Sequence, residues 1–120
     1  MVRGIGIDIL SVDEFEERLR RVPALKERLF TERELKLSYS LESLAGRFAL
    51  KEAVLKALGT GLTGGIRWRD VEIVGGVKEP PRVVLHGKAR SIAGDLTLHV
   101  SLSHSAGIVV GVCVVTSSDT

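Results

Sequence analysis

The chain has 120 residues, of which 44% are hydrophobic and 27% are charged, and its formal net charge is +2. This length suits one domain with a hydrophobic core, so we expect a single domain over residues 1–120. The composition excludes disordered and fibrous proteins, and no apolar run reaches the roughly 18 residues of a membrane-spanning helix. A charge this small does not by itself predict binding to nucleic acid.

The one cysteine, Cys113, lies inside the apolar run 108–115. A single cysteine excludes a disulfide framework and favours a reducing compartment, so we expect a cytoplasmic protein. Nothing nearby in the sequence would activate a thiolate, and Cys113 is expected to be a small buried hydrophobic residue. The N-terminus is typical of a buried strand and not of a signal peptide.

The first half of the chain predicts one strand followed by three helices. Two of the helices begin with a capping signature, a hydroxyl residue followed three positions later by glutamate, at Ser11 and at Thr31. Gly59 stands where a helix often ends in glycine. The predicted elements are a strand over 2–10, a helix from 12 to 22, a short helix from 31 to about 39, and a long helix from about 41 to 58.

The second half predicts mainly strands. A glycine-rich loop over 59–65 is followed by predicted strands over 68–74, 82–85, 97–103 and 107–115, with a short helix over 88–93 and a link of hairpin length over 104–106. This order predicts an α+β fold in which a long central helix packs on a small antiparallel sheet. A sheet this small exposes edges and buries little area, which favours self-association.

Four charged residues interrupt the long helix: Arg47, Lys51, Glu52 and Lys56. Apolar and small residues run almost all the way round this helix, a pattern typical of a buried element, and charged groups are almost never buried unless they are paired or used. Arg47 and Lys51 are four positions apart and repel each other, so an anion or plain solvent would explain them. Arginine clasps phosphate with two hydrogen bonds and lysine binds it as a point charge. The helix therefore predicts a site for an anionic ligand, which a metal could help to hold.

Two carboxylates could share such a site. Asp8 follows a Gly-x-Gly at the end of the first strand, and the third glycine of a dinucleotide fingerprint is missing, which excludes a Rossmann motif. Together with Glu52, Asp8 would suit Mg²⁺, which takes one or two carboxylates and completes its octahedron with water and substrate phosphates. Two plainer interpretations stay open: Asp8 solvates a turn, and Glu52 forms a surface ion pair with Lys56.

His104 lies between two serines at a predicted strand end. A lone histidine in such a place is more often structural than catalytic. The sequence has no cluster of histidine and cysteine that would indicate zinc, and it has no Gly-x-Ser-x-Gly serine-hydrolase motif.

Three motifs, in this order, resemble those of one family, the holo-acyl-carrier-protein synthases, which are small 4'-phosphopantetheinyl transferases. They are Gly-Ile-Gly-Ile-Asp-Ile at 4–9, Leu-Ala-Gly-Arg-Phe-Ala-Leu-Lys-Glu-Ala-Val-Leu-Lys-Ala-Leu-Gly-Thr-Gly at 44–61, and Val-Ser-Leu-Ser-His-Ser at 100–105. Phe-Thr-Glu-Arg-Glu-Leu at 30–35 is similar to a further family segment. One departure is that Ala106 and Gly107 stand where many relatives carry a lysine followed by an acid.

The resemblance implies an enzyme that transfers phosphopantetheine from coenzyme A to a serine of an acyl carrier protein, releases adenosine 3',5'-bisphosphate and supports fatty acid biosynthesis. It implies that Asp8 and Glu52 hold Mg²⁺. It also implies a homotrimer with its active sites between subunits. The residues implied to contact coenzyme A are Arg47, Lys51, Lys56, Gly59 and His104, and the residues implied to be catalytic are Lys56 and Glu34, the latter helping to deprotonate the incoming serine.

Two other classes of protein are alternatives to this enzyme. A coenzyme A or nucleotide sensor that had lost turnover would be signalled by loss of Asp8 or Glu52, and both are present. A nucleic-acid-binding domain is suggested by a basic segment, but the chain has only 3 Phe, 1 Trp and 1 Tyr for stacking, so we expect no nucleic-acid partner. The same segment is a candidate docking face for an acidic carrier protein, and its basic residues are Arg18, Arg20, Arg21, Lys26 and Arg28.

Overall fold

A computed structural model describes residues 1–118 and shows an α+β architecture, which confirms the predicted fold class. A three-stranded antiparallel sheet has the order β1-β5-β4, and β2 and β3 form a separate antiparallel hairpin. None of the helices in this range combines the length and the apolar character needed to cross a membrane. The elements are β1 (Val2–Ser11), α1 (Val12–Arg21), α2 (Leu25–Leu29), α3 (Glu32–Leu37), α4 (Leu41–Leu58), a 3-10 turn (Trp68–Asp70), β2 (Val71–Val74), β3 (Arg82–Leu85), α5 (Gly87–Ala93), β4 (Thr97–Ser105) and β5 (Ile108–Thr116).

The long helix α4 lies directly on the backbone of the three-stranded sheet. A Cβ atom added to Gly4 or to Gly6 would come within 2.0 Å of a carbonyl oxygen of α4, so only glycine allows this approach. The helix presents small residues at the same contacts, and these residues are spaced by one helical turn. The pairs in contact are Gly4 with Ala57, Gly6 with Ala53, and Gly111 with Ala49.

Two groups of buried side chains flank α4. One lies between α4, the hairpin and the large sheet and includes Val54, Ile73 and Cys113. The other lies between α4 and the first helices, where the ring of Phe48 stacks on that of Phe15 at a centroid distance of 5.3 Å. Burial raises the pKa of the Cys113 thiol to about 11, which agrees with the expected role as a buried hydrophobic residue.

Local hydrogen bonds explain where the helices begin and end. Ser11 Oγ accepts from Glu14 N at 3.2 Å at the start of α1. At the start of α3 the predicted capping box is complete, because Thr31 Oγ1 accepts from Glu34 N while Thr31 N donates to Glu34 Oε1. Helix α4 ends at Gly59, whose φ of 75° is left-handed.

Two local predictions were wrong, and one short helix was missed. The segment Trp68–Asp70 is a 3-10 turn and not part of a strand, because Asp70 Oδ2 accepts from Arg67 N at 3.0 Å and closes the chain into a turn. Helix α2 was not predicted, since it spans only one turn after Pro23. The link between β4 and β5 is shorter than 104–106: it is a two-residue turn at Ala106 and Gly107, with φ of 51° and 79°, and His104 lies within β4.

The part of the outer sheet face that β1 and β5 form is apolar and uncovered, whereas β4 contributes the polar residues His99, Ser101 and Ser103 to the same face. Ile5, Ile7 and Ile9 alternate with the residues of β1 that face α4, and they are 66%, 60% and 68% exposed. Each of them pairs across the sheet with a valine of β5 at position 114, 112 or 110. The result is a contiguous hydrophobic surface of the kind that marks contact with another protein.

Candidate active site

The structure brings Asp8, Glu52 and Lys56 together beside the edge strand β1. Lys56 Nζ donates to Asp8 Oδ1 and to the carbonyl oxygen of Ile7, both at 3.0 Å. Burial raises the pKa of Glu52, and so do the like charge of Asp8 and a hydrogen bond between the two carboxyl groups, whereas Lys56 and Arg18 lower it. Negative charge is therefore crowded at this point, and the site favours a further cation.

Lys56 does not form the ion pair with Glu52 that the sequence left open. Lys56 bonds to Asp8 on the sheet, and not to Glu52 four residues earlier on its own helix. Its side chain is 54% exposed, so its ammonium group remains accessible to a ligand, while that of Asp8 is 12% exposed. The cluster thus combines two carboxylates with one cation on rigid elements.

Carboxylate oxygens are hard ligands that suit Mg²⁺. Within residues 1–118 the structure has no group of three or more His, Cys, Asp and Glu side chains that could hold a metal ion. Asp8 and Glu52 alone would leave most of an octahedral shell to water and to phosphate oxygens. That donor set fits a magnesium ion that arrives with a phosphorylated ligand, and it does not fit zinc.

Lys51 is placed in the core and not at the cluster. Its side chain has no exposure, its ammonium nitrogen lies 2.8 Å from Glu34 Oε1, and it donates to the carbonyl oxygens of Trp68 and Val71. An ammonium group has three donors, and these partners use all of them. Burial lowers the pKa of Lys51, and the neighbouring carboxylate of Glu34 opposes that shift.

Glu34 is equally enclosed. Its Oε1 accepts from Thr31 N, its Oε2 accepts from Ile73 N at 2.9 Å, and its side chain has no exposure. The resemblance implied that Lys51 contacts coenzyme A and that Glu34 helps to deprotonate a serine. The structure does not support these two assignments, because neither side chain reaches the surface.

Arg47 joins three segments beneath the surface. It is 4% exposed, and it donates to Ser38 Oγ at 2.9 Å, to the carbonyl oxygen of Ile73 at 2.6 Å and to that of Gly75 at 2.9 Å. All three acceptors are neutral. Burial lowers the pKa of Arg47, whereas Glu34 and Tyr39 raise it.

A cavity of about 290 Å³ lies above Arg47. Its walls come from the start of α4, the end of β4 and the hairpin between β2 and β3. Among the lining residues are Tyr39, Ser43, Arg47, Glu79, Pro81 and His104. The side chain of His104 is 59% exposed, with Nδ1 3.5 Å from Glu42 Oε1. The sequence did not predict the roles of Tyr39, Glu79 and Pro81, because no local pattern connects them with a histidine more than 20 positions later.

The carboxylate cluster and this cavity lie on different sides of α4. Glu52 and Arg47 are five positions apart, about 140° around a helix. Asp8 and His104 lie on the two outer strands of the sheet, with β5 between them. Gly59 ends α4, and no atom lies within 4 Å of where its Cβ would be. One chain therefore does not bring all the expected site residues into a single cleft.

A second charged cluster, which the sequence did not predict, holds β2 to its neighbours. Glu72 accepts from Thr31 Oγ1 and from Arg33 Nη2, both at 2.5 Å, and it bonds to His86 Nε2 at 3.0 Å. Burial acts to raise the pKa of Glu72, but the hydrogen bonds from these three groups outweigh burial and bring it to about 2. The fully bonded carboxylate indicates a structural role.

The sequence matches known proteins along most of its length. Residues 4–113 match a family model described as the 4'-phosphopantetheinyl transferase superfamily. A holo-[acyl-carrier-protein] synthase of Leifsonia xyli is 46% identical over 111 residues, which cover 90% of this chain and 91% of the relative. The corresponding synthase of Moorella thermoacetica is 43% identical over 122 residues, covering 94% of this chain and 93% of that protein.

Solved structures give the same result. The holo-[acyl-carrier-protein] synthase of Helicobacter pylori in complex with coenzyme A has a TM-score of 0.84 and 34% identity, with 93% of this chain and 99% of that chain covered. The synthase of Bacillus anthracis, described in complex with coenzyme A (3',5'-ADP), has a TM-score of 0.81 and 33% identity, with 98% and 99% covered. The chain therefore belongs to the holo-[acyl-carrier-protein] synthase family of enzymes, within the 4'-phosphopantetheinyl transferase superfamily.

Proposed function

We propose that this enzyme transfers 4'-phosphopantetheine from coenzyme A to a serine of an apo acyl carrier protein. The observation that carries the proposal is the crowded cluster of Asp8, Glu52 and Lys56, because such a cluster suits a pyrophosphate together with its metal. In the reaction, the serine oxygen bonds to the phosphorus that carries pantetheine. The bond from that phosphorus to the bridging oxygen breaks, and adenosine 3',5'-bisphosphate leaves.

Asp8 and Glu52 would hold Mg²⁺. When bound, the ion would neutralise charge on the pyrophosphate oxygens, which together with positioning is the main requirement of phosphoryl transfer. Lys56 lies beside the same carboxylates with an accessible ammonium group, and in our proposal it neutralises a phosphate oxygen. Glu34 is not proposed as the base, because its carboxylate is enclosed, and the serine proton passes to solvent water.

The rest of coenzyme A would lie along the surfaces that remain open. The cavity with His104 has a buried guanidinium in its wall and room for part of the donor. Gly59 offers unobstructed backbone at the end of α4. Binding should weaken as salt rises, because exposed charge contacts are screened.

We further propose that the enzyme is a homotrimer with its active sites between subunits. The uncovered face of Ile5, Ile7 and Ile9 supports self-association, and the separation of the carboxylate cluster from the His104 cavity supports a site completed by a second subunit. The number three follows from the family resemblance alone. Sedimentation should give the mass of three chains, and Ile7→Lys should give inactive monomers. A fully active monomer would refute the shared site.

The acceptor would dock beside the carboxylate cluster. Arg18 is close enough to lower the pKa of Glu52, and Arg21, Lys26 and Arg28 continue the basic surface along α1 and α2. Complementary charge of this kind attracts an acidic partner and speeds encounter. We place the reaction in cytoplasmic fatty acid biosynthesis and propose no nucleic-acid or membrane partner.

Mass spectrometry tests the proposed reaction directly. An apo acyl carrier protein incubated with this enzyme, coenzyme A and Mg²⁺ should gain the mass of phosphopantetheine. Asp8→Asn and Glu52→Gln are the controls, and each should slow the transfer by at least about 100-fold while circular dichroism stays unchanged. Absence of the mass gain would refute the reaction, and full activity of either variant would refute the metal assignment.

A further inference from the structure

The hairpin of β2 and β3 needs external support. Each of its strands has four residues, and neither strand pairs with the three-stranded sheet. An isolated two-stranded hairpin is marginally stable in water. After β2 the chain also passes through Gly75 and Gly76, with φ of 74° and 85°, and Gly76 N donates to Glu79 O at 2.8 Å. Glycines at these two positions allow the chain to reverse direction, but they also raise the conformational entropy that the backbone loses on folding.

The beginning and the end of β2 are held by different side chains of α4. Lys51 donates to the carbonyl oxygen of Val71, the first residue of β2. One helical turn earlier, Arg47 donates to the carbonyl oxygens of Ile73 and Gly75, at the end of β2 and the start of the turn. The planar guanidinium bonds to two carbonyls and Ser38 Oγ through three separate nitrogen atoms, and the single nitrogen of a lysine would not reproduce that spread.

The turn that Arg47 fixes is also a wall of the His104 cavity. Glu79 and Pro81, three and five positions after Gly76, line that cavity, while Tyr39 follows Ser38 and lines it from the other side. Through Ser38 and Gly75 one side chain therefore connects the two walls. The distance between these walls depends on the bonds of Arg47.

We propose that Arg47 is a positioning residue, which sets the width of the donor cavity by fixing the hairpin and the segment before α4, and that it acts without a charge contact to a donor phosphate. The inference rests on the proposed function in that it takes the occupant to be part of coenzyme A. It gives Arg47 a role that the resemblance did not imply, since the resemblance implied direct contact.

Amide hydrogen exchange tests the structural part without any ligand. Arg47→Met should make exchange in residues 75–81 at least about 10-fold faster, while the amides of β5 keep their protection. The matched control is Arg33→Met, which also removes a guanidinium bonded to β2, but one bonded through Glu72 and away from the turn. Unchanged exchange at 75–81 in a folded Arg47→Met variant would overturn the proposal.

Calorimetry with coenzyme A tests the functional part. Arg47→Met should weaken binding by about 10-fold, because a misplaced wall costs affinity. The dissociation constants of variant and wild type should rise in parallel as sodium chloride increases, and Arg47→Lys should not restore affinity although it keeps the charge. A shallower salt dependence in Arg47→Met, or rescue by Arg47→Lys, would instead establish a direct charge contact.

Should Arg47→Met fail to fold, Ser38→Ala gives a milder test. It removes the acceptor of Arg47 Nε and leaves the two carbonyl bonds in place. Affinity for coenzyme A should then fall by a smaller factor, with the same parallel salt dependence, and unchanged affinity would count against the connection between the walls. If the wild type binds no coenzyme A, the proposed function fails, whereas the exchange experiment still decides whether Arg47 fixes the hairpin.

Discussion

The two sides of α4 treat charge in opposite ways. On the side facing the hairpin, Lys51 and Glu34 are enclosed, and each hydrogen-bonding atom of both side chains meets a partner within the chain. On the side facing β1, Glu52 lies beside a second carboxylate, and its pKa is raised. A charged group whose hydrogen bonds are all made within the chain stabilises the structure. A charged group beside another of the same sign is available to a ligand of opposite charge. Burial alone does not show whether a charged side chain stabilises the fold or is available to a ligand. The groups that surround the charge determine which of the two roles it has.

The largest effect expected from this difference is on the free energy of unfolding. Lys51→Met should cost about 4 kcal/mol, because it leaves the carboxylate of Glu34 buried without its cation. Lys56→Met changes an exposed lysine five positions later and should cost less than about 1 kcal/mol. Denaturant titration measures both. The double change Glu34→Gln with Lys51→Met should recover part of the loss, and equal costs for the two lysines would contradict the comparison.

A smaller effect, with a defined pH dependence, is expected at Glu72. Its pKa falls from 4.5 to about 2 on folding, so its contribution is complete above pH 4.5 and is lost as the pH falls towards 2. Glu72→Gln should therefore destabilise the enzyme at pH 7 by about 2 kcal/mol. The difference between variant and wild type should shrink through that acidic window and vanish near its lower end. A difference independent of pH would show that the charge of Glu72 does not matter.

The basic residues of α1 and α2 test whether a side chain that forms a surface ion pair can still bind an acidic partner protein. Arg21 lies 3.7 Å from Glu17, but both side chains are mostly solvated, and such pairs contribute little. Arg21→Glu with Arg28→Glu should raise the KM for carrier protein by about 10-fold and leave the KM for coenzyme A unchanged. Arg18 is kept, since it acts on Glu52. Steady-state kinetics decide, with Lys88→Glu and Arg90→Glu on α5 as a control of equal charge. An equal effect of both pairs would place docking elsewhere.

The smallest effect is expected at Glu52, where substitution should raise the free energy of unfolding, whereas substitution of Lys51 or Glu72 should lower it. A raised pKa means that folding disfavours the ionised form of Glu52, so its charge destabilises the enzyme above its ordinary pKa of 4.5. Without metal, Glu52→Gln should stabilise the fold at pH 7 by about 1 kcal/mol, and the gain should disappear on acidification. Adding Mg²⁺ should raise the melting temperature of the wild type and not that of the variant. A loss of stability in Glu52→Gln would show that the charge of this carboxylate stabilises the fold, which would contradict the prediction.

Much of the fold follows from local signals in the sequence. The boundaries of α4 agree with the prediction at both ends, and the left-handed glycine that ends the helix, Gly59, is a local feature of the sequence. The capping box at Thr31 is of the same kind. The 3-10 turn at Trp68–Asp70 was missed because it runs directly into the strand residues 71–74, and the side-chain hydrogen bond that closes it is a detail of geometry.

The candidate site was less predictable, since its contacts are distant in the sequence. Helical spacing places Arg47 and Lys51 on one side of α4 and Glu52 and Lys56 on another, but spacing does not say which side meets the core. The partner of Lys51 is a carboxylate 17 positions earlier, in another helix. The acceptors of Arg47 are backbone carbonyls, which every residue carries, so no residue type could have indicated them.

The contact between the glycines of the sheet and the alanines of α4 has a consequence for mechanical stiffness. Asp8 is two positions after Gly6, and Glu52 directly precedes Ala53, whose carbonyl oxygen lies 2.0 Å from where a Cβ of Gly6 would be. The Cα atoms of Asp8 and Glu52 are therefore joined by two peptide backbones in direct contact, and the only rotatable side chains between the two carboxylates are their own. A helix held this way resists both tilting and sliding, so thermal motion should alter the spacing of the carboxylates far less than that of groups joined through long side chains.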